Sequence, residues 1–134
     1  MIFAAGLGTR LKPLTDTMPK ALVPLAGKTL LQWQIEKLKA VGITDIVLNV
    51  HHFPDQIIDY LRENNQFGCH IQVSDERDML LETGGGLRKA KSLLSVIGNQ
   101  KSDYKDEPIL ACNVDILSNI DIPALLKAYN PDEM

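Results

Sequence analysis

MIFAAGLGTRLKPLTDTMPKALVPL (residues 1–25) is the stretch that decides the fold. A short apolar run, residues 2–5, ends abruptly in Gly6-Leu7-Gly8, with Thr9 and Arg10 directly behind. An apolar strand that runs into glycines makes a sharp turn where backbone N–H groups can crowd around an anion. Lys20 lies ten residues beyond the arginine, between Pro19 and a further apolar stretch. A guanidinium and an ammonium on one loop supply formal positive charge. Such a loop suits a polyphosphate.

Two phosphate-loop patterns fail on particular residues. The dinucleotide fingerprint G-x-G-x-x-G opens a helix; Gly6 and Gly8 fit, but Leu11 holds the third glycine position and Pro13 opposes a long helix. The pattern G-x-x-x-x-G-K-[ST] ends well on Gly27-Lys28-Thr29. However, Leu22 replaces its first glycine and Pro24 interrupts the loop.

The loop instead resembles the signature of the sugar-phosphate nucleotidyltransferases, also called nucleotide-sugar pyrophosphorylases: G-x-G-T-R-L-x-P-L-T, several residues, then P-K-x-L-x-P. Gly6, Gly8, Thr9, Arg10, Leu11, Pro13, Leu14, Thr15, Pro19, Lys20, Leu22 and Pro24 fall in place. Residues 81–86, LETGGG, look most like the branch that makes uridine-diphosphate N-acetylmuramate from the sugar 1-phosphate. The resemblance runs from Ile2 to about Asp121. The resembling enzymes are usually longer, so residues 1–134 are expected to form a nucleotide-binding nucleotidyltransferase domain that is an N-terminal portion only.

Composition agrees with a soluble globular domain: 45% apolar and 23% charged residues over 134 positions. A net charge of −3 carries no basic footprint for nucleic acid. No apolar run approaches the roughly 18 residues that cross a bilayer, and the N-terminal apolar run is too short for a signal peptide. Cys69 and Cys112 lie far apart in apolar surroundings and read as free thiols. A cytoplasmic protein without membrane or nucleic-acid partners is expected.

Along the chain, Thr29 and Gln32 form a capping-box pattern for a helix carrying Leu31, Ile35 and Leu38 and stopped by Gly42. Residues 45–50 (DIVLNV) read as a buried strand. Pro54 suits the first turn of a helix with Ile57, Ile58 and Leu61 inward, ended by Asn64-Asn65. Residues 69–73 form a third strand and residues 74–81 a charged loop. Residues 83–86 lead into a helix carrying Leu87, Ala90, Leu94 and Ile97, stopped by Gly98. A polar loop over residues 99–107 precedes a fourth strand, residues 108–114, and Asp121 can cap a last helix. Trp33 reads as helix packing.

Strands alternating with helices predict an α/β fold: a Rossmann-like, mostly parallel sheet with helices on both faces and right-handed crossovers, the nucleotide-diphospho-sugar transferase fold of the resembling family. In such sheets ligands bind beyond the C-terminal strand ends. Residues 6–10, His51-His52, Asp75-Glu76 and Asp115 each follow a predicted strand and should share one edge.

The resemblance implies attack of a sugar-1-phosphate oxygen on the α-phosphorus of a nucleoside triphosphate, with pyrophosphate leaving. Such chemistry asks the protein to align two anions and neutralise the charge between them. Backbone N–H groups of Leu7, Gly8, Thr9 and Arg10 would hold the triphosphate, with Arg10 on the β- and γ-phosphates. By resemblance Lys20 reaches the α-phosphate and the sugar phosphate. Backbone groups of Ala4, Ala5 and Gly6 would meet the base edge, Gly84 and Gly85 would let the base approach closely, and Glu82 or Thr83 would assist. Asn113 could face the sugar or ribose, or be a buried strand amide. Asp115 is the expected ligand of Mg²⁺, which keeps several waters while bridging phosphates; solvated-turn aspartate is the plainer alternative. The family's aspartate usually follows a glycine, where this chain has Val114, and its second metal-binding aspartate comes from later chain, so residues 1–134 alone should bind metal poorly. His51 and His52 are tempting acid–base groups, but an already anionic phosphate needs no base.

The favoured reading is a sugar-1-phosphate nucleotidyltransferase using UTP. Guanylyl transfer to mannose 1-phosphate and cytidylyl transfer to phosphocholine are alternatives within that class. A non-catalytic regulatory module, or a general nucleotide-binding domain fused to another unit, are the readings outside it.

Overall fold

The computed structural model describes residues 1–96 and 108–130. The predicted ends of the third helix at Ile97 and Gly98, and the loop over residues 99–107, lie outside the described residues.

The sheet starts with β1 (Ile2–Phe3). A hairpin follows, β2 (Pro24–Leu25) and β3 (Lys28–Thr29), antiparallel about Ala26 and Gly27. Both turn residues have positive φ, 50° and 84°, the backbone that matches a two-residue hairpin to strand twist. The P-loop-like Gly27-Lys28-Thr29 is therefore a hairpin turn and strand. Trp33 closes it, donating from Nε1 to the Leu25 carbonyl at 2.8 Å while the Lys28 ammonium sits 4.6 Å above its ring.

Then come α1 (Leu30–Ala40), β4 (Asp45–Val50), α2 (Pro54–Glu63), β5 (His70–Asp75), α3 (Glu82–Leu94), β6 (Cys112–Asn113) and α4 (Ile122–Ala128). Thr29 caps α1 as expected, its Oγ1 accepting from the Gln32 N–H at 3.0 Å. The reciprocal half of the box does not form: the Gln32 side chain donates to Glu36 instead. Gly42, at φ 84°, ends the helix in the left-handed backbone that glycine adopts most cheaply.

Four parallel strands lie in the order β5-β4-β1-β6. Strand alternation splits β4 between two cores. Ile46, Leu48 and Val50 join Ile2, Leu31, Ile35, Leu38, Ile57 and Leu61 beneath α1 and α2. Val47 points to the opposite face, where it meets Met1 and Ala90 of α3. Helices thus cover both faces, as predicted. Each fully buried aliphatic side chain contributes on the order of 2 kcal/mol.

Several boundaries differ from the sequence reading. β5 runs to Asp75, so Ser74 and Asp75 are strand and not loop. Gly84, Gly85 and Gly86 lie inside α3, which begins at Glu82. The inner side of α3 is Gly86, Ala90, Leu93 and Leu94; Leu87 is 41% exposed. Of the predicted strand over residues 108–114, only Cys112 and Asn113 pair, because β1 offers a partner of just two residues. Both cysteines are free and half-buried, and burial, the largest cause for each, raises both thiols above their ordinary value.

Ile35→Ala is expected to cost about 2–4 kcal/mol of unfolding free energy, since Ile35 is fully buried. Leu126→Ala, at an exposed position of α4, should stay within about 0.5 kcal/mol. Urea unfolding of both variants measures the contrast.

Candidate active site

The chain moves from β1 to β4 to β5, then α3 carries it back across the sheet to β6 on the far side of β1. The direction of winding therefore reverses between β1 and β6. Loops leaving two such strands part to opposite faces and open a crevice at their C-terminal ends. The glycine turn leaves β1 there, and Asp115 leaves β6.

The turn is shaped by close contacts. Gly8 has φ 66°, and a Cβ on it would stand 2.7 Å from Thr15 Cγ2. Thr15, 2% exposed, donates from Oγ1 to the Gly8 carbonyl at 2.8 Å. Residues Thr9–Leu11 then form a short 3₁₀ turn, with the Leu11 N–H donating to the same carbonyl at 2.8 Å. Thr9 and Arg10 project into solvent.

Lys20 folds back over this turn. A Cβ on Gly6 would lie 3.4 Å from its Nζ, and that ammonium pairs with Asp115 Oδ2 at 2.9 Å. The two side chains are 19% and 39% exposed, so water screens the pair only in part. Partial burial alone would raise the Asp115 carboxyl; the Lys20 hydrogen bond and charge outweigh it, and Arg10 adds its field, so the pKa lies below the ordinary 3.8. Arg10 and Asp115 therefore act on one rim.

The segment after Asp115 is tied to α1. Gln34 donates to the Ile116 carbonyl, and Lys37 donates to the Ser118 carbonyl at 2.8 Å and its hydroxyl at 3.0 Å. Val114, in the place of the family's glycine, is fully buried, and its N–H donates to the Phe3 carbonyl at 3.0 Å. Its side chain fills core, which leaves the carboxylate of the next residue outside.

The remaining expected residues divide. Ala4 and Ala5 are buried at the end of β1. Glu82, Thr83 and Gly84 are exposed at the start of α3. Thr83 and Asn113 line a cavity of about 440 Å³ together with Phe3, Gln34, Leu38 and Ile116. That hollow is mainly apolar and lies beside the charged rim, since Arg10, Lys20 and Asp115 do not line it. Asn113 is exposed and so is no buried strand amide.

The histidines hold the rim together. His51 Nδ1–H donates to the Glu76 carbonyl at 2.7 Å, and His52 Nε2–H donates to the Thr15 carbonyl at 3.0 Å. A carbonyl accepts only, so each contact commits a ring proton to structure. Sequence reasoning passed over Asn49 and the work of Glu76. Their signal was the lone amide in the apolar run DIVLNV: a polar side chain in a buried strand needs a partner.

The sequence pattern of the nucleotidyl transferase family matches residues 1–133. The chain belongs to that family. It is 37% identical to the N-acetylmuramate alpha-1-phosphate uridylyltransferase of Caulobacter vibrioides, across 100% of this chain and 54% of that protein. A protein of the same name from Neisseria meningitidis is 42% identical across 92% of this chain and 49% of its own length. The chain thus spans about half the length of these relatives. Among solved structures, HddC from Yersinia pseudotuberculosis complexed with GMP-PN superposes with a TM-score of 0.74 at 26% identity, covering 95% of this chain and 52% of that one. Among the described residues no helix is long and apolar enough to cross a membrane.

Two outcomes test this geometry. Gly8→Ala should lose about 1–3 kcal/mol from its left-handed backbone and more from the clash with Thr15, part of which Thr15→Ser restores by removing the methyl. Gly27→Ala, where a Cβ meets nothing within 4 Å, should lose only the backbone cost, about 1–3 kcal/mol, with nothing added by a clash. Because the folded Asp115 pKa is depressed, its stabilising contribution is complete above the ordinary 3.8 and fades as pH falls through the lower folded value. Asp115→Asn should remove that acid-side loss, seen by urea unfolding at neutral pH and below pH 4.

Proposed function

We propose that this protein transfers a uridylyl group from UTP to a sugar 1-phosphate, releasing pyrophosphate. The observation that carries the reading is the meeting of Lys20 and Asp115 at the ends of β1 and β6, with the glycine turn that carries Arg10 leaving β1 at the same edge. N-acetylmuramate 1-phosphate is the sugar phosphate favoured by the two uridylyltransferase relatives.

In this mechanism the glycine turn holds the triphosphate with the backbone N–H groups of Leu7, Gly8, Thr9 and Arg10. The Arg10 guanidinium grips the β- and γ-phosphates, a bidentate match that lysine lacks. Lys20 lies against the α-phosphate and the sugar phosphate. A sugar-phosphate oxygen forms the new bond to the α-phosphorus while the bond to the α–β bridging oxygen breaks, and pyrophosphate carries away the electron pair. Lys20 and Arg10 stabilise charge where it builds up on the transferring and leaving groups. Backbone groups of Ala4, Ala5 and Gly6, with Glu82, Thr83, Gly84 and Gly85, surround the base, and Asn113 faces the sugar or ribose. The nucleotide and sugar phosphate are handled in the cytoplasm.

Asp115, paired with Lys20 on this rim, is the carboxylate suited to Mg²⁺ among the described residues. Among the described residues no group of three or more His, Cys, Asp or Glu side chains could hold a metal by itself. That set fits an ion that takes one protein carboxylate and draws its other ligands from phosphates and water. Asp115 would hold Mg²⁺, which when bound would offset phosphate charge. In the free protein Lys20 and Asp115 neutralise each other. Phosphate and metal would each take one member of that pair, so each should favour entry of the other.

Guanylyl transfer is the second reading, favoured by the GMP-PN complex of the HddC relative. Thermal shift with UTP, GTP, CTP and dTTP plus Mg²⁺ separates the two: a ligand present at 100 times its Kd stabilises by about 2.7 kcal/mol, and UTP should give the largest shift. A larger shift with GTP would install the second reading. Arg10→Ala and Lys20→Ala should each reduce pyrophosphate release, read as kcat/KM, by about 10²–10³.

A further inference from the structure

On the β4 and β5 side of β1, opposite β6, lies a buried polar chain whose side chains the mechanism above does not use. The Ala4 N–H, just past the end of β1, donates to Asn49 Oδ1 at 2.8 Å. The other end of that amide, Asn49 Nδ2, donates to Glu76 Oε1 at 2.9 Å. Ala4, Asn49 and Glu76 are 1%, 2% and 0% exposed. The roof is Gly86 of α3: a Cβ there would stand 2.8 Å from Asn49 Nδ2 and 2.9 Å from Glu76 Oε1. The floor is the main chain of Glu76, whose N–H donates to the Val50 carbonyl at 2.7 Å and whose carbonyl accepts from His51 and Met79.

Packing alone does not call for a carboxylate here. Glu76 Oε2 is buried with no hydrogen-bond partner, and burying a charge with an unpaired oxygen is costly. A glutamine has nearly the same shape and could also receive the Asn49 amide. What glutamine cannot do is accept only. A carboxylate never donates, so Asn49 must turn Nδ2 toward Glu76 and Oδ1 toward Ala4. A glutamine could flip and donate, allowing Asn49 to flip as well and set Nδ2 against the Ala4 N–H. Glu76 thus fixes the polarity of the amide that holds the first peptide of the glycine turn.

We propose that Glu76 is a positioning residue for nucleotide binding: acting through Asn49, it locks the Ala4 peptide in the orientation that the Ala4-Ala5-Gly6 backbone presents to the nucleotide. This role rests on the nucleotide reading above. It explains why Ala4, at the entry to the turn, is anchored through Asn49 of β4 to Glu76 just after β5, and why α3 carries glycine at 86.

The test pairs UTP titration calorimetry in Mg²⁺ with hydrogen exchange of the Ala4 amide by NMR, on the 134-residue chain. Glu76→Gln should bind UTP about 3–10-fold more weakly and exchange the Ala4 amide faster, the scale of one compromised buried hydrogen bond. Asn49→Asp, which sets carboxylate against carboxylate, should be worse. Asn49→Asp combined with Glu76→Gln restores a donor facing an acceptor and should return both readouts to within about 2-fold of wild type, a coupling that independent sites lack. A generally loosened fold would not be rescued in this way. If Asn49→Asp does not fold, recovery of folded, UTP-binding protein in the double variant supports the lock, and failure to recover overturns it. Unchanged affinity and unchanged Ala4 protection in Glu76→Gln overturn it also. Absence of wild-type binding to any nucleoside triphosphate would overturn the nucleotide reading itself, and this role with it.

Discussion

The central position of β1 is the constraint on which the molecule depends. Only Ile2 and Phe3 pair, yet they pair on both sides, to β4 and to β6. A strand hydrogen-bonded on both edges and covered on both faces has no freedom to shift register, because a one-residue slip would exchange its two faces. Ile2 is fully buried in the core beneath α1 and α2, while Phe3 packs against the cluster under α3. The glycine turn therefore leaves the sheet from a rigid point. Its entry at Ala4 is held by Asn49, and its later parts by His52 and Asp115, all from far along the chain.

Charge at the crevice is balanced by proximity. Lys20 and Asp115 come from loops 95 residues apart in sequence and meet at 2.9 Å. The pair joins the ends of β1 and β6 across the line where the winding reverses. Water reaches the carboxylate, so the pair by itself contributes little to stability; its consequence is to bring the two loops together. On the other side of β1, toward β4 and β5, lie a neutral amide and a buried carboxylate, where hydrogen-bond direction matters more than charge.

Legibility varied by element for physical reasons. β4, α1 and α2 were readable because their own residues carry a full period of burial, a cap and a stop: Thr29, Gly42 and Pro54 act locally. β6 was read too long because strand length is set by the partner, and β1 is short. In α3 three consecutive glycines read as a turn, since glycine weakens a helix interior. The fold keeps them helical because α3 must lie close over Asn49 and Glu76, where Gly86 has no room for a side chain. Leu87 was placed inward by spacing from Ala90, whereas that close approach turns Gly86 inward instead.

The sequence by itself determined the parallel α/β class, the family, and a glycine turn followed by the two cations Arg10 and Lys20. These follow from local chemistry: apolar runs, glycines and charges at fixed spacing act within a few residues of one another. Only the tertiary structure decided that Lys20 meets Asp115, that the two histidines spend their protons on carbonyls, and that Glu76 reaches Ala4 through Asn49. Those contacts join residues 25 to 95 positions apart, and such distances close only when the strands have been ordered in the sheet.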